Sequence, residues 1–267
     1  MPFSFKLPPR SERLEILDLR PATREEIDAN FAEIANVNRF LGGTAAVRDG
    51  LLTLLTERSS VPPDPLTILD VAAGGADIAR ALIGDARRGR FGVSLRIIAT
   101  DINPEILAHA RRSTPRDAFP EITVETADAL HLPYADKSVD IAVCSMAFHH
   151  FDFGACVALM REMARVSRLG FVVNDLRRDR IARALIWTLT RILHSHWITR
   201  HDAPLSVMRA YTLDEFRAMG AAAALDGRTT VRFAPMYRLI TVFRRSPETS
   251  VSREQVESPP APNLYRE

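Results

Sequence analysis

Cysteine is scarce: Cys144 and Cys156 are the only two in 267 residues. Two thiols cannot build a disulfide framework or a cysteine-rich metal site, and both sit where small core residues are expected. A dominant charge is missing too. Thirty-five basic residues face 33 acidic ones, a formal net charge of +2, so nothing draws the chain toward nucleic acid. Arg177, Arg178, Arg180 and Arg183 cluster locally, which reads as a solvated helix face. Long apolar runs are absent: the most apolar helical stretch, 181–198, is broken by Arg183, Arg191, His194 and His196. That excludes a membrane span there. Residues 1–10 have no apolar h-region, so no signal peptide is expected. The expectation is a soluble cytoplasmic protein, monomer or homodimer, without stable membrane insertion and without a nucleic-acid partner.

What is present is a 46% hydrophobic fraction with 25% charge, enough for one large domain with an appended cap. Residues 1–22 are Pro-rich and read as an irregular arm. Residues 23–65 read as a helical cap and linker: Ile27, Phe31, Ile34 and Ala35 recur at helical spacing after Glu25 and Glu26. A second helix covers 44–57, and the proline run over 61–65 is a stiff linker. From 66 to 245 strand and helix alternate. Strands are expected at 66–72, 95–100, 122–125, 139–144 and 171–174, helices at 78–88, 104–112 and 154–167. Such alternation predicts an α/β fold, a parallel sheet with helices on both faces. A long helical insert follows within 177–210, helical over 177–198. Strands at 229–234 and 237–243 lie two residues apart, an antiparallel hairpin. Residues 246–267 are Ser-, Pro- and Glu-rich and read as a disordered tail.

In an open α/β sheet, ligands bind beyond the carboxyl ends of the strands. The first strand ends in Asp70-Val71-Ala72-Ala73-Gly74-Gly75-Ala76-Asp77. These small residues let backbone N–H groups approach a ligand at a helix start; a tight turn with no ligand fits as well. Asp101 ends the second strand and can accept two hydrogen bonds from a ribose diol. Its rival role is a helix cap, since Asn103-Pro104 follows. Asp128 follows the third strand and can accept from an exocyclic amino group, or be an exposed loop carboxylate. Three carboxylate-bearing strand ends in order are harder to dismiss than any one.

Residues 68–81, 97–111, 126–133, 139–151 and 161–175 together resemble the successive motifs of class I S-adenosylmethionine-dependent methyltransferases. The resemblance implies a seven-stranded Rossmann-like sheet whose last strand is antiparallel. It implies S-adenosylmethionine as cofactor, cradled by Ala72 and Gly74, with its ribose on Asp101 and its adenine near Ile102, Asp128 and Ala129. Ser145 would lie near the methionyl part. The family's turn usually reads Gly-x-Gly-x-Gly; here Ala72 and Ala76 replace the first and third glycines, which implies a somewhat different turn geometry. Quinone-pathway methyltransferases resemble this variant, and also the stretch 31–55. That likeness implies that Asn38, Arg39 and Gly43 touch the cofactor's amino-acid end.

The acceptor side carries fewer signals. His149 and His150 follow the fourth strand and Asp175 ends the fifth, so a His oriented by an Asp could act as base for a phenol or enol. Small-molecule members of the family often carry His at this place. The alternative is that the two histidines cap and pack. His201, within the polar segment 199–207, is a reserve candidate on an expected loop. His194, His196 and His201 do not make a metal pattern, so no metal is expected. Trp187, Leu189, Ile192, Leu193 and Trp197 roof a hydrophobic acceptor pocket or simply pack. The expected activity is methyl transfer to a small or lipid-like acceptor, O-methylation of a phenolic or enolic hydroxyl first, C-methylation of a quinol or polyketide ring second. A nicotinamide-dependent dehydrogenase lacks its G-x-G-x-x-G fingerprint here. A non-catalytic nucleoside-cofactor-binding module remains the rival of a different class.

Overall fold

The computed structural model describes residues 7–56 and 63–246. Its strands are β1 (Leu66–Val71), β2 (Leu95–Asp101), β3 (Ile122–Thr126), β4 (Val139–Ser145), β5 (Ser167–Leu176), β6 (Gly227–Ala234) and β7 (Arg238–Arg245). They form one 7-stranded sheet in the order β3-β2-β1-β4-β5-β7-β6. The first five pair in parallel; β7 runs antiparallel to both β5 and β6. The helices are α1 (Ile16–Leu19), α2 (Arg24–Phe40), α3 (Gly43–Thr56), α4 (Asp77–Arg87), α5 (Pro104–Ser113), α6 (Phe153–Val166), α7 (Arg180–Ile192), α8 (Trp197–Arg209) and α9 (Leu213–Ala223).

Side-chain alternation splits the interior into two cores. Along β4, Ile141 and Val143 join Leu51 of α3 and Leu82 of α4 on one face. Ala142 and Cys144 join Met160 and Met163 of α6 and Phe216 of α9 on the other. Each large apolar side chain removed from water contributes about 1.5–3 kcal/mol, so both sheet faces must be covered, and the near-continuous apolar strands say so. Both cysteines are free and buried. α3 crosses β5 closely: a Cβ on Gly50 would come within 2.5 Å of Val172 Cγ1.

Local signals set the helix starts. Thr23 and Glu26 form a capping box on α2. Asn103 accepts from the backbone N–H groups of Glu105 and Ile106, with Pro104 in the first turn of α5. Asn103 is thus the cap, which removes the rival role of Asp101.

Three expectations are corrected. The helix expected over 177–198 is two, α7 and α8, broken where His194 takes a φ of +51°. The segment 199–207, read as a loop, lies inside α8 despite Pro204, because buried Ile198 and Val207 anchor it. The hairpin loop has three residues rather than two: Ala234 pairs with Arg238, and Met236 and Tyr237 both have positive φ. The linker at 61–62 and the tail beyond 246 lie outside the described residues.

Candidate active site

β1 has β2 on one side and β4 on the other, so the strand order reverses at β1 and opens a crevice above the carboxyl ends. A cavity of about 760 Å³ occupies it. Its floor is the β1 turn. Ala72, Gly74 and Ala76 have φ of 53°, 53° and 55°, so all three positions of the glycine motif are left-handed, two of them occupied by alanine. An L-residue there costs roughly 1–2 kcal/mol; the turn is left-handed in spite of the substitutions. Phe31 of α2 covers it, with Cε1 2.8 Å from where a Gly74 Cβ would be.

Carboxylates gather beside this turn. Asp101 accepts from Gly74 N–H at 3.1 Å and Asn103 N–H at 3.0 Å. Burial raises its pKa, partly offset by those backbone donors. Asp70 is buried, its Oδ2 has no partner, and burial together with Asp77 and Asp101 pushes its pKa up to about 8. Burial also raises Asp77, which accepts from Asn38 Nδ2 at 3.0 Å. All three line the cavity. An unpartnered buried carboxylate beside two others suits a cationic ligand, and a left-handed turn open to the cavity suits close backbone approach. This end therefore fits a positively charged nucleoside such as S-adenosylmethionine.

The other side of the cavity is built on a 3-10 turn, Phe148–His150, just after β4. His149 is 2% exposed. Its Nδ1 lies 2.7 Å from Asp175 Oδ1, and its backbone N–H donates to Asp175 Oδ2 at 2.9 Å. Burial alone would raise the Asp175 pKa; the attraction and hydrogen bond of His149, with the backbone N–H groups of Leu176 and His149, hold it below the usual range. His150 Nδ1 lies 3.2 Å from Asp18 Oδ2. Burial opposes its protonation, but Asp18 and Glu15 raise its pKa overall. The two Nε2 atoms face the Glu15 carboxylate at 3.7 and 3.9 Å. Glu15, His149 and His150 offer three ligand atoms within 4.8 Å of one another, a set able to share a proton or take a divalent cation. His194, His196 and His201 form no such group among the described residues. Arg10 and Arg209 donate to the His149 carbonyl at 2.8 and 3.1 Å and fix the turn.

Of the residues singled out from sequence, Ala72, Gly74, Asp101, Ile102, Ser145, His149 and His150 line the cavity. Asp175 lies behind His149 as its hydrogen-bond partner. Asp128 shares the sheet edge with Asp101, since Ala127 N–H donates to Asp101 O at 3.1 Å. Its carboxylate is turned into its own loop, accepting from Leu130 N–H and pairing with His131, and neither Asp128 nor Ala129 is on the cavity wall. Arg39 is exposed, stacked over Phe40, and off the wall; Asn38 takes that place. Gly43 makes room for it, since a Cβ would collide with Asn38 Oδ1. Leu189 joins Leu185 and Ile186 in the roof, whereas Trp187, Ile192, Leu193 and Trp197 face outward. Glu15, Asp18 and Arg238 were not singled out from sequence, and Asp70 only as the head of the first strand-end run. Asp70 sat in plain view at the end of an apolar strand, an inward-phase carboxylate.

Residues 68–170 match a family model described as a methyltransferase domain. The demethylmenaquinone methyltransferase of Deinococcus radiodurans is 32% identical over 143 residues, 53% of this chain and 55% of that protein. The chain thus spans about half the length of this curated relative. A SAM-dependent methyltransferase from Aquifex aeolicus superposes with a TM-score of 0.56 at 14% identity, covering 84% of this chain and 98% of that one. An O-methyltransferase family 2 protein from Planctomyces limnophilus, solved with apigenin, gives 0.57 at 19% identity over 84% and 63%. The methyltransferase-domain match is thus confined to residues 68–170, and the fold is the one seen in solved S-adenosylmethionine-dependent methyltransferases. Among the described residues no helix is long and apolar enough to cross a membrane.

Proposed function

We propose that the chain methylates a hydroxyl of a small phenolic or enolic acceptor, with S-adenosylmethionine as donor and His149 as base. The observation that carries this reading is the His149–Asp175 pair on the cavity side of the sheet edge. When bound, the donor supplies an already activated methyl group, so the protein's tasks are alignment, exclusion of water and removal of one proton. Ala72, Gly74 and Asp101 would hold the nucleoside, with Ser145 near its methionyl part. Asp128 and Ala129, on the neighbouring strand end but off the cavity wall, would need to turn toward the adenine to flank it. Arg39 would need to swing inward to take part. An unperturbed phenol has a pKa of about 10 and gives up its proton reluctantly. Asp175 fixes the His149 ring through Nδ1, which leaves Nε2, 3.7 Å from Glu15 Oε1, as the basic atom. His150 would assist by holding Asp18 and Glu15. The apolar roof of Leu185, Ile186 and Leu189 suits a ring-shaped or lipid-like acceptor.

The relative named for demethylmenaquinone favours a second reading, C-methylation of a quinol ring, in which the same base would take the phenolic proton. Incubating the chain with methyl-labelled donor and a panel of catechols and quinols tests both. An O-methyl product supports the first reading and a C-methyl product the second. Donor binding without turnover on any acceptor would leave the non-catalytic module.

A further inference from the structure

Arg238, the first residue of β7, heads the fully buried side chains by size at 1% exposure. It lines the cavity between the end of α2 and the end of β5. A guanidinium has five N–H donors and no way to shed its charge near neutral pH. Here one is well used: Nε donates to Leu41 O at 2.7 Å. Nη2 reaches Asn38 Oδ1 only at 3.5 Å, and Nη1 faces the Met146 sulfur at 3.0 Å, a weak acceptor. Among the described residues no carboxylate forms an ion pair with it; Asp175 and Asp77 attract it from farther away, and burial holds its pKa down at about 10. A buried cation without a bonded anion is costly unless something else completes it. Asp175 is committed to His149 and Asp77 to Asn38, so neither carboxylate is free to do so. The planar fork favours a bidentate anion over a single point charge.

We propose that Arg238 is the cavity's carboxylate-binding residue and holds a carboxylate of one of the two reactants. The source is either the amino-acid end of the donor or a carboxylate on the acceptor. The first source rests on the nucleoside reading above; the second does not. The position fits both, because Arg238 touches Asn38 and Leu41 on the cofactor-side cap and lies one strand from the His149–Asp175 pair.

The test is calorimetry on wild type, Arg238→Gln and Arg238→Lys. The ligands are S-adenosylhomocysteine, methylthioadenosine (the same nucleoside without a carboxylate), and benzoate added to protein saturated with S-adenosylhomocysteine. In Arg238→Gln we expect a loss of about 30- to 100-fold for one carboxylate ligand. If the donor is the source, S-adenosylhomocysteine weakens and methylthioadenosine does not. If the acceptor is, S-adenosylhomocysteine is unchanged and benzoate binding disappears. A folded Arg238→Gln that binds both carboxylates like wild type overturns the proposal. Should that variant not fold, Arg238→Lys decides: a loss of about tenfold for one carboxylate ligand supports the role, and unchanged affinity for both overturns it. If wild type binds neither nucleoside, the donor reading falls, while benzoate titrated onto the free protein still judges Arg238.

Discussion

Asp70 makes a stability test that needs no acceptor. Its carboxyl is buried at the end of β1, lacks a partner at Oδ2, and has its pKa pushed up to about 8. In the unfolded chain the group titrates near 3.9. Below that value both states hold the proton and folding is unaffected. As pH rises, the unfolded chain releases the proton first while the native state keeps it, so stability declines until the folded pKa is passed. Between pH 6 and pH 8 the loss comes to about 2 kcal/mol, or roughly 4–8 °C in Tm for a domain of this size. Asp70→Asn keeps the shape and removes the titration. The variant should gain on wild type by that amount when both are melted at pH 6 and again at pH 8, the difference cancelling all other titrating groups. The donor adds a second readout. Ionised Asp70 on the cavity wall should favour the sulfonium of S-adenosylmethionine over the neutral thioether of S-adenosylhomocysteine. That preference should grow from pH 6 to pH 8 in wild type and stay flat in Asp70→Asn. Melting curves of the two proteins that shift in parallel with pH would refute the reasoning, since the carboxyl would then titrate normally.

Other perturbations probe the remaining parts. His149→Gln should lower kcat by about 10²- to 10⁴-fold at neutral pH, with donor affinity by calorimetry unchanged; wild-type turnover would remove His149 as base. Dialysis against EDTA should leave methyl transfer intact if Glu15, His149 and His150 share a proton, and activity restored only by a divalent cation would assign the three to a metal. Ala72→Val, a β-branched residue at φ 53°, should cost about 1–3 kcal/mol in chemical denaturation, whereas Ala72→Gly should stay within about 1 kcal/mol of wild type. Gly50→Ala should cost about 1–3 kcal/mol because its methyl meets Val172; an unchanged midpoint would mean α3 is free to move off the sheet.

What could be read in advance depended on how far apart in the chain the cooperating residues lie. The β1 and β2 ends on the cavity wall were legible because each strand and its carboxyl-end loop are contiguous: Asp70 to Ala76 is one strand end with its turn, and Asp101 ends the apolar run that precedes Asn103-Pro104. Parallel pairing then brings those ends together without further information. The insert was misjudged because a proline and a polar surface in 199–207 mimic a loop, while the burial of Ile198 and Val207 that keeps α8 helical is a tertiary fact. The His149 end of the cavity was only half legible for a related reason. His149 and Asp175 lie on neighbouring strand ends, but Glu15 reaches them through an arm tied to Ser206, 191 residues away, and Arg238 meets Asn38 across 200. No periodicity announces such contacts. The one local sign was Arg238 itself, an inward-phase cation opening the apolar run Leu239-Ile240-Thr241-Val242-Phe243, where a buried strand has no use for charge. A charged residue in the buried phase of a strand end is therefore a better pointer to a ligand than its sequence neighbours suggest. Asp70 on β1 and Arg238 on β7 are two such residues, with opposite signs, on the wall of one cavity.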